Sequence, residues 1–175
     1  MTRCYIIDAC VVTSASDKTV ESRRIANFLR TFLKTNNRIA MTKDLHEEWF
    51  NHASAYTIKV YFLLKAKRRI KEIHDHETVE DIRIKTHSVK DKQRILPILK
   101  DIHLLEAAIL TDKIIFSLDD KARNNFNHLY NCVSGITDVC WLNPSIEQEE
   151  VTEWLIDTKK YDPTRFIVNY HSLVI

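Results

Sequence analysis

The chain is expected to fold as α/β, a single domain with a central, mainly parallel sheet and helices on both faces. Three observations predict this. Short apolar runs rich in β-branched residues recur at 4–12, 38–41, 113–118 and 139–142. Segments with helical periodicity separate them, the alternation expected of parallel strands joined by crossover helices. Acidic residues also punctuate these runs at or near their ends, where a parallel sheet gathers its ligands. At 175 residues the chain suits one domain with a modest elaboration.

Residues 4–12, Cys-Tyr-Ile-Ile-Asp-Ala-Cys-Val-Val, read as a first strand buried on both faces. Ile25, Phe28, Leu29, Phe32 and Leu33 recur at helical spacing and predict a helix over about 17–35, stopped by Asn36-Asn37. Arg38-Ile39-Ala40-Met41 is a short second strand. Thr42 or Asp44 can cap the next helix, which carries Glu47 and Glu48 early and is expected to run to about 67. Within it Tyr56, Tyr61 and Phe62 read as core. Over 72–90, Val79, Ile82 and Ile84 alternate with charged residues, so that stretch reads as a connection with an edge strand. A helical region follows over about 89–111, with Pro97 either kinking it or starting a new helix in its first turn. Lys113–Leu118 is a strand ending in Asp119-Asp120, followed by a short helix over about 120–130. Val139–Leu142 is the last strand. The domain is expected to span 1–144, with irregular 70–90, and 145–175 to form a partly acidic, helical extension packed on it.

Composition narrows the chemistry. Gly135 is the only glycine, so glycine-rich phosphate loops are excluded. Cys4, Cys10, Cys132 and Cys140 form no C-x-x-C pair and read as free thiols of a reduced compartment. No apolar run is long enough to span a membrane. Met1-Thr2-Arg3 leads straight into a strand, leaving no room for a signal peptide. The expectation is a cytoplasmic protein with no membrane partner. His74-Asp75-His76 lacks a third ligand at metal-binding spacing and reads as surface loop.

Asp8, Glu48, Asp101 and Asp119 interrupt or border stretches that otherwise read as core. Asp101 shares a helical stripe with Leu105 and Ala108, which should face the sheet. Carboxylates gathered beside a core need an offset, and a hard divalent cation is the usual one. Asp8, Asp101 and Asp119 are the expected ligands of one or two Mg²⁺ or Mn²⁺ ions, with Glu48 holding a water. Ser117 is expected to orient Asp119; Glu47 competes with Glu48, and Asp120 competes with or joins Asp119. Lys65, Lys67, Arg68, Arg69 and Lys71 form a basic cluster suited to phosphate contacts. His103 lies near Asp101 with no role decided.

In order and spacing these residues resemble the PIN-domain nucleases. Asp8 stands in Ile-Ile-Asp-Ala, Glu48 lies six residues after Thr42, Asp101 opens Asp-Ile-His-Leu-Leu-Glu-Ala-Ala, and Ser117-Leu118-Asp119 closes a strand. The resemblance covers most of 4–143. Cys10 departs from it, standing where many members carry Asn, Ser or Thr; Thr13 or Ser14 is the nearby hydroxyl able to support Asp8 instead. The resemblance implies an endoribonuclease acting on single-stranded or structured RNA, in a toxin, defence or processing role, with an antitoxin, another protein or a second copy as partner. Two other readings compete. One is a non-catalytic PIN-like module binding RNA or protein. The other, a phospho-acceptor receiver domain, would need an acid closing a strand near residue 55, which reads as mid-helix.

Overall fold

A computed structural model describes residues 2–51, 53–74, 77–146, 151–156 and 165–168. The first apolar run changes conformation at its aspartate. Strand β1 is Cys4–Ile7, and helix α1, Ala9–Ser14, follows at once. The expected strand over 4–12 therefore ends after four residues. Asp8 caps α1, its side chain accepting the Cys10 N–H at 3.2 Å. That cap, with Val11 and Val12 buried on the inner side, outweighs the β preference of the two valines.

Helix α2, Val20–Lys34, opens on a reciprocal cap between Thr19 and Ser22. Strand β2 is Arg38–Met41. Helix α3, Lys43–Asn51, starts where Thr42 Oγ1 accepts the Leu45 N–H, one of the two caps expected. The single helix expected to reach 67 is two helices. Ser54 caps a new one, α4, Ala55–Ala66, by accepting the Thr57 N–H, and Thr57 ties it to the Val12 carbonyl. On α4, Tyr61 is buried but Phe62 is exposed, so Phe62 is not core.

Strand β3 is Ile70–Glu72, and helix α5 is Glu77–Thr86. An edge strand exists here, but earlier than the alternation at 79–85 implied. In a strand Ile82 and Ile84 would share a face; instead Ile82 is buried and Ile84 is exposed, as the 100° step of a helix requires. A single 3-10 turn, Lys92–Arg94, leads into helix α6, Ile95–Ile109. Pro97 falls in its first turn, where its missing N–H would have had no helical acceptor. Strand β4, Ile114–Phe116, helix α7, Asp120–Asn127, a 3-10 turn, Ile136–Asp138, strand β5, Cys140–Leu142, and helix α8, Val151–Ile156, follow among the described residues.

All five strands are parallel, in the order β3-β2-β1-β4-β5. The order reverses between β1 and β4, so the connections leaving their carboxyl ends diverge. Sheets of this kind form their ligand crevice at such a point. Tyr5 and Phe116 meet Phe28 and Phe32 of α2 on one face, with the Phe28 and Phe116 rings 4.7 Å apart. Helix α6, running between β3 and β4, packs across β1, β2 and β4. Right-handed crossovers put it on the face opposite α2.

The segment after 144 packs back on the domain where it is described. Val151 and Leu155 are buried and α8 contacts α2. Ile167 is buried too, and its N–H donates to the Val139 carbonyl at 3.0 Å. Glu147, Glu149, Glu150, Asp75 and His76, and the side chains of Glu153 and Trp154, lie outside the described residues. Cys4 and Cys140 are buried, Cys10 and Cys132 half-buried, and all four are free thiols. No helix among the described residues is long and apolar enough to cross a membrane.

Candidate active site

The crevice between β1 and β4 is built around one hydroxyl. Asp8 directly follows β1, and its N–H donates to the Phe116 carbonyl at 2.9 Å. Ser117 directly follows β4 and is fully buried. Its Oγ donates to Asp8 Oδ2 at 2.6 Å and accepts the Asp119 N–H at 3.0 Å. Ser117 was expected to orient Asp119. It does so through the backbone, and it holds the Asp8 carboxylate directly.

Asp119 caps α7. Its Oδ1 accepts the N–H groups of Lys121 and Ala122, both at 2.9 Å, and Oδ2 is clear of these bonds. Thr13 does not support Asp8, because its hydroxyl bonds back to Ala9 O at 2.9 Å. Cys10 takes the place of a polar residue in another way. Its Sγ accepts the Leu118 N–H and lies 3.6 Å from Ser117 Oγ. Burial, then the charge of Asp8, pushes the Cys10 pKa far up, so it stays a neutral thiol.

Asp101, on α6, joins this pair electrostatically. Burial raises its pKa, Lys100 opposes the rise, and the charges of Asp119 and Asp8 add to it. Glu48, on α3, is brought to the same end of the sheet by its neighbour Trp49, whose indole N–H donates to the Ile7 carbonyl at 2.9 Å. Glu48 Oε2 lies 3.3 Å from Nε2 of the buried His103. The approach is an ion-pair distance without the alignment of a hydrogen bond. Burial disfavours the His103 imidazolium, yet Glu48, with Asp44 and Asp8 beyond it, raises its pKa. Of the two adjacent glutamates, Glu48 turns toward His103 and Glu47 lines a separate cleft. Asp120 follows Asp119 as the first residue of α7, and the Asp119 charge acts on it. Burial raises its pKa while Arg123 and Asn143 oppose the rise.

Among the described residues, no three His, Cys, Asp or Glu side chains are arranged to ligate one ion together. The donor set nonetheless suits Mg²⁺ or Mn²⁺ held partly through water. All the groups are carboxylates, Asp119 keeps one oxygen clear, and the repulsion felt by Asp101 is the kind a cation relieves.

The expected basic cluster is not one surface. Arg69 is buried, donating to Asn37 O, Leu33 O and Phe32 O at 2.6, 3.1 and 2.9 Å. Three of its five N–H donors go to main-chain carbonyls, and burial keeps the guanidinium from the surface. Lys67 and Arg68 lie in the turn before β3, at the amino edge of a parallel sheet whose acids lie at the carboxyl edge. Lys71 lies within β3, and Lys65 lines the cleft with its ammonium over the Tyr61 ring.

No family model, curated protein or solved structure matches this chain.

The cleft has a volume of about 1070 Å³ and opens beyond the carboxyl ends of β2 and β3. Thr42, His46, Tyr61, His74 and Arg83 are among its lining residues, and it meets the acidic crevice only at His103. Its floor holds an ion pair that sequence reasoning missed. Arg83 of α5 grips the buried Glu106 of α6 through two bonds, 2.6 and 2.9 Å long, and reaches Asp44 at 3.5 Å. Glu106 stands in Leu-Leu-Glu-Ala-Ala, an acid inside an apolar run, the same signal that marked Asp101. Removing Arg83 leaves a buried carboxylate without its cation. Because water reaches the arginine side, Arg83→Met is expected to cost about 2 kcal/mol, below the range for wholly buried pairs. Urea unfolding checks this, and Glu106→Gln should cost less than Arg83→Met.

Proposed function

We infer that this protein is a divalent-metal-dependent endoribonuclease of the PIN type, hydrolysing RNA phosphodiester bonds. One observation carries the reading: Asp8 and Asp119, from different strands at the switch point, are joined through Ser117 while Asp101 is repelled by both. Lys100 and His103 offset the Asp101 charge only in part, so burial and the two neighbouring carboxylates still raise its pKa, as suits a site for a positive ligand.

A bound Mg²⁺ or Mn²⁺ supplies charge neutralisation at phosphate and lowers the pKa of a coordinated water. The chain's own groups do the rest. Ser117 and the Cys10 N–H hold the Asp8 carboxylate in one orientation. The first turn of α7 fixes Asp119 through Oδ1 and leaves Oδ2 out of those bonds. Asp101 completes the negative wall. Glu48, half-exposed and directed by His103, has an oxygen available to accept a hydrogen bond from the attacking water. The neutral Cys10 thiol fills the space behind Ser117 without adding charge.

The test pairs a melting curve with a cleavage assay. Mg²⁺ or Mn²⁺ at millimolar concentration is expected to raise the melting temperature, since the folded crevice binds the ion and the unfolded chain does not. The same ions should switch on cleavage of single-stranded RNA. A chain that binds RNA with no metal response and no cleavage would instead be a non-catalytic PIN-like module.

A further inference from the structure

We propose that the substrate strand runs from the acidic crevice along the seam between the first half of α6 and α7, its phosphates held by Arg94, Lys100 and Lys121, rather than by the basic residues before β3. This rests on the ribonuclease reading and names the substrate path of that site. Lys100 directly precedes Asp101, and its charge acts on that carboxylate. Lys121 directly follows the Asp119-Asp120 pair, and its N–H is one of the two that hold Asp119. Neither ammonium is held by a hydrogen bond or ion pair among the described residues, and both are exposed. They adjoin Asp101 and Asp119, two of the acids of the crevice.

Arg94 extends the row. Its Nη1 donates to Asn125 at 3.0 Å, linking the start of α6 to α7. Asn125 is one turn beyond Lys121, so Arg94 lies along the α7 face that carries Lys121. Asp91 takes Arg94 Nε at 3.2 Å, which leaves Nη2 available to a phosphate oxygen. Leu96 is 79% exposed one turn before Lys100. A bare leucine beside cations offers apolar contact to an unstacked base, which favours an unpaired strand over duplex. The rejected alternative, Lys67 and Arg68, occupies the opposite edge of the sheet from Asp8 and Asp119.

The test is steady-state cleavage of a labelled single-stranded RNA by the full chain with Mg²⁺, across about 50–200 mM salt. Lys100→Gln/Lys121→Gln is expected to raise KM about tenfold with little change in kcat. The salt dependence of kcat/KM should become shallower by about 1.4 log units per log unit of salt, about 0.7 for each lost phosphate contact. Cleavage with wild-type KM and wild-type slope in this variant overturns the path while leaving the ribonuclease reading intact. So does an equal or larger effect from Lys67→Gln/Arg68→Gln. If the unmodified chain neither binds nor cuts RNA, the ribonuclease reading itself fails and this path fails with it.

Discussion

Asp101→Asn is expected to lower RNA cleavage by at least about 100-fold, the scale for loss of a group that stabilises charge at a reacting phosphate. The fold should survive. Burial and the carboxylates of Asp119 and Asp8 favour the neutral form of Asp101, and Lys100 and His103 offset this only in part. Removing the charge relieves that repulsion, so the metal-free variant should melt no lower than the parent. The metal-induced rise in melting temperature should shrink, since the variant gives up a ligand charge.

The pH dependence carries the same sign. A carboxyl whose folded pKa lies above its unfolded value binds its proton more tightly in the folded state. Stability is then greater at acid pH and falls as pH rises from the ordinary carboxylate range through the raised value. His103, also raised, adds in the same direction: its contribution is complete below the ordinary histidine value and is lost above its folded pKa. Metal-free protein should therefore be more stable near pH 6 than near pH 8, through His103, and Asp101→Asn should lose only the more acidic part of the dependence. An Asp101→Asn variant that cuts at the parental rate would remove the aspartate from the site.

The largest expected loss of stability comes from Arg69→Met. The guanidinium ties the last turn of α2 and the loop before β2 to the chain entering β3 by bonding three carbonyls, and it stacks 5.1 Å above the Phe32 ring. Methionine fills much of the volume but satisfies none of those acceptors. The cost is expected to be about 3 kcal/mol, or a melting temperature lower by roughly 6–12 °C. Thermal unfolding measures it. RNA affinity, assayed well below the melting transition, should keep its salt dependence; a changed slope would return Arg69 to the substrate surface.

Arg69 also marks the limit of what the residue order reveals. It stands in a run of cations and looks like its neighbours, because its partners are main-chain carbonyls that leave no trace in side-chain identity. The strand-helix alternation was legible, since β2 and β4 are continuous apolar runs and Thr42 announces α3. The acids of the crevice were legible because each breaks an apolar pattern. The turn at Asp8 was not, because Val11 and Val12 have strand character and the cap contact to Cys10, with the burial of both valines, decides otherwise. Nor was the break at Ser54, where a hydroxyl starts a new helix inside apolar sequence. The pairs His103–Glu48 and Arg83–Glu106 join residues 55 and 23 positions apart, beyond the reach of any local pattern.

The return of the chain past residue 164 has a consequence for how copies of this protein meet. By lying antiparallel against β5, with Phe166 bridging Cys140 and Ile167 bonding Val139, it occupies hydrogen-bonding groups that an outermost strand would otherwise offer to a stranger. At the other margin β3 is three residues long and carries Lys71 and Glu72, a short and charged template. One border is thus occupied at its start by a returning segment of the same chain and the other is blunted by charge, two defences against stacking into fibres.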